Sequence, residues 1–438
     1  MAATNSLDTK KGRLSTFGIL YIAEGIPLGF ATIAMAAYMR RSGMDVTQVG
    51  AFVATFYLPW AFKWAWAPLV DLVTLNRFGG RKAWILICQT LMIITLAGVA
   101  QIDHTQHFDL LIAMVIIHNI FGATCDVAID SLAVNTLREE ERAQGNGFMF
   151  AGAYLGQGLG GGGALFVSGR FGFDVSFMYV SALLAMVVAF VVFFVRDPAA
   201  VVSLTDKATD VTRQFIAKLG EFLSEIRVGF FQSGRGPLVG VAFALMPFGA
   251  MALMGAVSTS LQVDLGMDDD TIAQLNVLNT SISGVGCIVG GWLADKIGKR
   301  RTLMAYYTLT ALPVLYLATV MSGDEGIAAV TIPTYFATSL TFYAFVGMHY
   351  GTSAAIFMGL TNPAVAATQF TGYMALRNLT IAYTNGWQGA GVDTWDYATV
   401  FYIDAALALL PILTVPFLVG RKTSETPPSR GTPLPEAS

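Results

Sequence analysis

The chain has 438 residues, 55% of them hydrophobic and 13% charged, with a formal net charge of -3 at pH 7. Soluble domains carry roughly 25% charged residues, so this composition excludes a water-soluble globule and points to a bilayer. The near-neutral charge gives no reason to expect nucleic acid. The three cysteines (Cys88, Cys125 and Cys287) show no metal-ligand spacing, so neither a metal site nor a cofactor is expected.

Twelve apolar stretches each meet the ~20 residues that a spanning helix needs: 14–39, 48–70, 83–102, 109–134, 146–168, 175–195, 237–262, 271–293, 303–322, 327–360, 366–391 and 398–420. A polar, basic start (Lys10, Lys11, Arg13) leads straight into a full span, unlike a cleavable signal peptide. With a cytoplasmic N-terminus, 21 of the 26 lysines and arginines fall inside. Only Arg40, Arg41 and Arg170 fall outside, and Lys63 and Arg377 lie within spans. The outer loops carry acids instead, among them Asp264, Asp268, Asp269, Asp270 and Asp393. This asymmetry predicts an even number of spans with both termini cytoplasmic. The expected fold is all-α and integral to the membrane, with twelve transmembrane helices in two six-helix bundles that echo each other. The expected layout is a cytoplasmic N-terminus (1–13), a first bundle (14–195), a cytoplasmic linker (196–236), a second bundle (237–420) and a disordered tail (421–438).

In the first span, Glu24 stands mid-membrane just before Gly25 and Pro27, which loosen a helix and free backbone carbonyls. In the second, Lys63 lies about eight residues from the inner end at Asp71, a depth of roughly 12 Å. In the fourth, Asp126 lies at the same depth, so an ion pair with Lys63 is the simplest way to satisfy both charges. The pair reads either as a static bridge or as one broken and remade by protons or by an anionic substrate. Asp130 is one turn further on, on the same helical face. A carboxylate costs ~2.5–3.5 kcal/mol in hydrocarbon, so two on one face must look at protein, water, a cation or a proton path. Asp130 either exchanges a proton with Asp126 or meets the Asp71–Arg81 loop as part of an inner gate, the reading its depth favours. His118, two turns above Asp126, reads either as a proton relay or as a packing residue.

The fifth span is rich in glycine and spells G-x-G-x-x-G from Gly156 to Gly161. No strand precedes it, so the dinucleotide reading fails; close packing and sliding between bundles is expected instead. The linker places Phe215, Leu219, Phe222 and Ile226 at helical spacing, as in an amphipathic surface helix. After the eighth span comes Gly291-Trp-Leu-Ala-Asp295-Lys296-Ile-Gly298-Lys299-Arg300-Arg301, echoed more loosely by Asp71 and Gly79-Gly80-Arg81-Lys82. Each puts an acid, a glycine turn and a basic cluster at the cytoplasmic side, as in a gate. In the eleventh span, Arg377 has amides and phenols around it, including Gln369, Tyr373 and Asn378. That set suits a carboxylate or phosphate on a cargo. The alternatives are a bridge to Asp404 or snorkelling to an interface.

The Gly291–Arg301 segment resembles the cytoplasmic loop pattern of the major facilitator superfamily, whose fold places a substrate site between two six-helix bundles. Four further stretches resemble the AmpG-like muropeptide permeases: Tyr21–Phe30, Phe62–Asp71, Cys125-Asp126-Val127-Ala128-Ile129-Asp130, and Ala367–Phe370 with Tyr373–Leu376. Cys125 stands where that family has glutamine, and Tyr154 where it commonly has arginine. The resemblance implies a proton-driven permease of the inner membrane that imports peptidoglycan fragments. First spans line the central cavity in the superfamily, which makes Glu24, with Asp126, Asp130 and His118, a candidate for proton coupling. Lys63, Gln369, Tyr373, Arg377 and Asn378 are the candidates for a small-molecule substrate. Asp71, Arg81, Gly291, Asp295, Gly298, Arg300 and Arg301 are those for the cytoplasmic gate. The expected partners are protons, a small molecule and membrane lipid, and the expected state is monomeric. Relatives that carry siderophores or acetyl-CoA keep a siderophore or acyl-CoA cargo open. A non-transporting sensor or scaffold is the alternative of another class. An intramembrane enzyme would need a nucleophile–base set or an H-E-x-x-H motif, and the sequence has neither.

Overall fold

The computed structural model describes residues 5–67, 70, 80–104, 106–138, 141–197, 208–362 and 365–418. Among these there is no β-strand. The N-terminal half comprises α1 (Lys10–Gly29, continuing through a π turn at Phe30–Met35 to Arg41), α2 (Val46–Phe62), α3 (Arg81–Val99), α4 (Phe108–Thr136), α5 (Arg142–Gly158, continuing through a π turn to Phe171) and α6 (Phe173–Phe194). The linker helix α7 spans Ala208–Ile226. The C-terminal half comprises α8 (Arg235–Ala244), α9 (Ala256–Asp264), α10 (Asp269–Ile297), α11 (Lys299–Met321), α12 (Ile332–Leu360), α13 (Ala366–Thr394) and α14 (Tyr397–Leu407, followed by short 3-10 turns). Among the described residues, seven runs are long and apolar enough to cross a membrane by length and composition. The others are shorter, broken, or richer in glycine and polar residues.

Two departures from the expected spans matter for the site. The second span ends its α-helix at Phe62, and Lys63–Ala65 continue as a 3-10 turn. Lys63 therefore caps a helix C-terminus, where the backbone carbonyls favour a cation. The seventh span is two helices rather than one. Between them run Leu245–Gly255, with Gly249 and Gly255 at positive φ. A broken helix leaves N–H groups that hydrocarbon cannot satisfy. Side chains of three neighbouring helices satisfy them here. Asp404 Oδ2 accepts from Met251 and Ala252 N–H at 2.8 and 2.9 Å, Asn385 from Ala256 N–H at 2.9 Å, and Thr310 from Ala250 N–H at 3.2 Å.

Glycine sets two helix contacts. A Cβ on Gly25 would lie 2.0 Å from the Ala153 carbonyl oxygen, and one on Gly156 2.2 Å from that of Ile22. The glycine stripe of α5 thus clamps α1 within one half, and further along it Gly162 faces Ala273 of α10 in the other. Between halves, Gly50 of α2 meets Gly389 of α13, where a Cβ on either would lie 2.5–2.6 Å from a backbone oxygen of the other helix. Backbones approach this closely only over small residues.

Candidate functional site

Three elements of the N-terminal half converge on one half-buried cluster, within which Asp126 is buried. Trp60 and Trp66 pin the end of α2 to α4, donating to Asn119 at 3.4 Å and to Thr124 at 3.0 Å. The turn between them points Lys63 at α4, where its ammonium donates to Asp126 and pairs with it. Trp60 also lies under the lysine, 5.5 Å from ring centre to Nζ. From α1, Tyr21 donates to Asp130 at 2.6 Å. Glu24, one turn along the same face of α1, lies within electrostatic reach of Lys63, Asp126 and Asp130. Its Oε1 is buried without a hydrogen-bond partner. The cluster therefore sets three carboxyls against one ammonium.

Other sequence candidates face elsewhere. His118 is bonded through Nδ1 to Thr95 of α3 at 2.9 Å, which suits packing between α3 and α4. Eight residues turn a helix about 80° past two full turns, enough to aim it at a different neighbour from Asp126. Arg81 does not meet Asp130. Its Nε donates to Ser131 at 2.7 Å and its backbone N–H to Asp197 at 2.8 Å. Asp71 lies outside the described residues. At the second loop, Gly298 (φ 108°) makes the turn between α10 and α11, while Arg300 donates to the Leu418 carbonyl at 2.6 Å within its own half. Asp295 and Arg301 are exposed, and Gly291 has open space where a side chain would stand.

In the C-terminal half the candidates separate. Gln369 and Tyr373 are fully buried and committed to backbone. Gln369 bridges Gly229 and Asn362 at 2.8 Å each, and Tyr373 donates to Pro237 at 2.9 Å. Through these bonds they staple α13 to the start of the half. Asn378 is half-buried. Arg377 is 7% exposed, donates through Nη1 to Ser353 at 2.8 Å, and lies over Phe248 and Tyr350 at 4.1 and 5.5 Å from their ring centres. It makes no bridge to Asp404, whose oxygens are taken by the broken helix and by Gln388 at 2.8 Å. Tyr154 of α5 lies within electrostatic reach of Arg377 and Tyr350, so the arginine sits where the halves meet.

The sequence reading missed the joint between the halves on the face opposite the linker. There Arg40 grips Asp264 through two bonds of 2.7 and 2.8 Å, and Tyr397 donates to the same carboxylate at 2.7 Å. Arg41 pairs with Asp269, and Arg170 with Asp270 at 2.8 Å. Asp393 of α13 accepts from Val46 and Thr47 N–H at 3.2 and 2.6 Å, capping α2 from the other half. The signal was present: the three arginines that break the basic-residue asymmetry are the three that cross to acids of the other half. On the linker face the ion pairs Arg13–Glu141 and Arg81–Asp197 stay within the N-terminal half. There α7 touches both halves, stacking Phe222 on Trp64 at 5.7 Å and pairing Glu225 with Thr368.

The sequence pattern described as Major Facilitator Superfamily matches residues 17–383 and, in a second match, 239–438. The chain is 24% identical over 409 residues to the "Anhydromuropeptide permease" of Escherichia coli (strain K12), covering 93% of this chain and 79% of that one. It is 25% identical over 423 residues to "Putative transporter AmpG 4" of Rickettsia conorii, covering 92% and 96%. Among solved structures, a D-xylose-proton symporter superposes with a TM-score of 0.69 at 15% identity, covering 92% of this chain and 95% of that one. The nucleoside transporter NupG does so with a TM-score of 0.66 at 14% identity, covering 94% and 100%.

Proposed function

This chain belongs to the Major Facilitator Superfamily of membrane transporters, and from that premise we propose that it is a proton-coupled importer of an anhydro-muropeptide-like peptidoglycan fragment. The likeness to a permease of that name supports the cargo class. The observation that carries the proton half is the cluster of Glu24, Asp126 and Asp130 around the single cation Lys63. A proton arriving at Asp126 removes the charge that holds Lys63. The freed ammonium then meets an anionic group on the cargo, so proton and cargo occupancy become linked. The linker face is the cytoplasmic one, because the basic residues gather there. The Arg–Asp joint then closes the outer face, and alternating access requires it to open for loading. Each side of the cleft comes from one chain, so the monomer in the inner membrane is the transporting unit.

The test is uptake of a radiolabelled anhydro-muropeptide into proteoliposomes. An acidic exterior should drive accumulation in the wild type. Asp126→Asn should lose the response to the pH gradient while still exchanging labelled for unlabelled cargo. Full gradient-driven uptake by Asp126→Asn would sink the coupling site. No proton flux with any cargo, siderophores and acyl-CoA included, would favour a sensor or scaffold.

A further inference from the structure

Eleven buried side-chain polar atoms lack a hydrogen-bond partner among the described residues, and four of them lie together in the C-terminal half. They are Arg377 Nη2, the Tyr307 hydroxyl and both ring nitrogens of His349. Three helices bring these side chains in, α11 for Tyr307, α12 for His349 and α13 for Arg377. Tyr307 and His349 are 0% exposed, and their ring centres stand 5.2 Å apart. Phe248 joins them to Arg377, its ring lying 4.1 Å from the guanidinium and 6.3 Å from the His349 ring.

Most buried polar groups are paired, so a cluster of orphans asks for an explanation. Arg377 spends one nitrogen on Ser353. The ring of Phe248 holds the face of the guanidinium but offers no acceptor to its edge. Asp404 is committed to the broken helix. The orphans include one permanent cation, one phenol and one imidazole, each able to donate a hydrogen bond at the same time. Donors from three helices around a guanidinium edge match the several lone pairs of an oxyanion, with the strength of charge-assisted bonds. Tyr350, against which Arg377 lies, is 38% exposed, and Tyr154 of the other half reaches the same cation. The cluster thus stands at the boundary between the halves.

We propose that Arg377, His349 and Tyr307 form a subsite for one oxyanion, a carboxylate or a phosphate carried by the cargo. This rests on the transport reading above and adds to it. Lys63, once freed, meets one anionic group of the cargo in the N-terminal half, and this trio holds another in the C-terminal half.

The experiment uses the purified full chain in detergent, with acetate and inorganic phosphate as separate probes against chloride at equal ionic strength. The wild type should melt at a higher temperature with whichever probe fits, and the two arms distinguish carboxylate from phosphate. Arg377→Gln should lose that shift, with Tyr307→Phe and His349→Asn each reducing it. In proteoliposomes, Arg377→Gln should raise the KM for labelled anhydro-muropeptide at least tenfold. Shifts equal to the wild type in all three variants overturn the subsite, as does a wild type that responds to neither anion. Should Arg377→Gln not fold, the Tyr307 and His349 variants decide by the same readout. An Arg377-dependent anion shift without muropeptide uptake leaves the subsite standing and removes the cargo reading. Normal uptake with an unchanged KM in Arg377→Gln does the reverse.

Discussion

The two cations inside the membrane are held in opposite ways. Lys63 sits on a helix C-terminus and pairs with Asp126, with further carboxyls nearby. Arg377 sits mid-helix with one hydroxyl and several aromatic rings, and the carboxylate nominated for it, Asp404, is used elsewhere. One half therefore has a surplus of acceptors and the other a surplus of donors. The proton-coupled transport of an anion proposed above needs both, and each half carries one.

The largest effect in breaking that contrast should come from Asp404. Replacing it with alanine removes the acceptor of two backbone N–H groups and of Gln388. At about 1.5–3 kcal/mol for each bond to a charged group, a loss of ~3 kcal/mol or more is expected in detergent unfolding. A near-silent variant would mean that Asp404 is free to answer Arg377.

Next is the paired cation. Lys63→Met strands Asp126 and should cost about 3 kcal/mol, while Lys63→Met with Asp126→Leu should recover most of it. Arg377→Met strands no charge. Its expected cost is that of one hydrogen bond to a charged group, about 1.5 kcal/mol, because no partner charge is left buried. Equal losses for the two single variants would erase the distinction.

The residues differ in how much of this could be read from sequence. The all-α membrane fold and the pairing of Lys63 with Asp126 follow from counting apolar residues and multiplying by a rise. The break in the seventh span does not, because Leu245–Gly255 are as apolar as a helix, and it takes Thr310, Asn385 and Asp404 from later helices to satisfy the freed N–H groups. Gln369 and Tyr373 looked like cargo ligands because polar groups in a span need partners. Which partner they find depends on the packing of α13 against the start of the half, which no local pattern encodes.

A third test asks whether both cations serve one cleft. Cys287 is a half-buried free thiol within reach of Tyr154, which in turn reaches Arg377. Arg40→Ala with Arg170→Ala removes two of the joints between the halves. Alkylation of Cys287 by an impermeant maleimide from that face should rise several-fold, and an unchanged rate would separate the joint from the cleft.

The smallest effect concerns a cation outside the hydrocarbon that is fully matched. Arg13 holds Glu141 through bonds of 2.6 and 2.9 Å and brings its carboxyl down to about 2. A depressed carboxyl stabilises the fold above its unfolded value, about 4.3, and stops doing so as pH falls through the folded value. Glu141→Gln should therefore melt earlier than the wild type at pH 7, with the gap closing between pH ~4.3 and 2.

The Arg–Asp joint also constrains how the protein is made. Arg40 and Asp264 are 224 residues apart in the chain, and Arg170 and Asp270 are 100 apart. At ~5–20 residues per second of synthesis, Arg40 waits on the order of 10–45 s for its partner. During that interval the arginines stand unneutralised on the face that basic residues otherwise avoid. On the topology proposed above, the first half holds its orientation through its linker-side cations until the second half arrives to cover the exceptions.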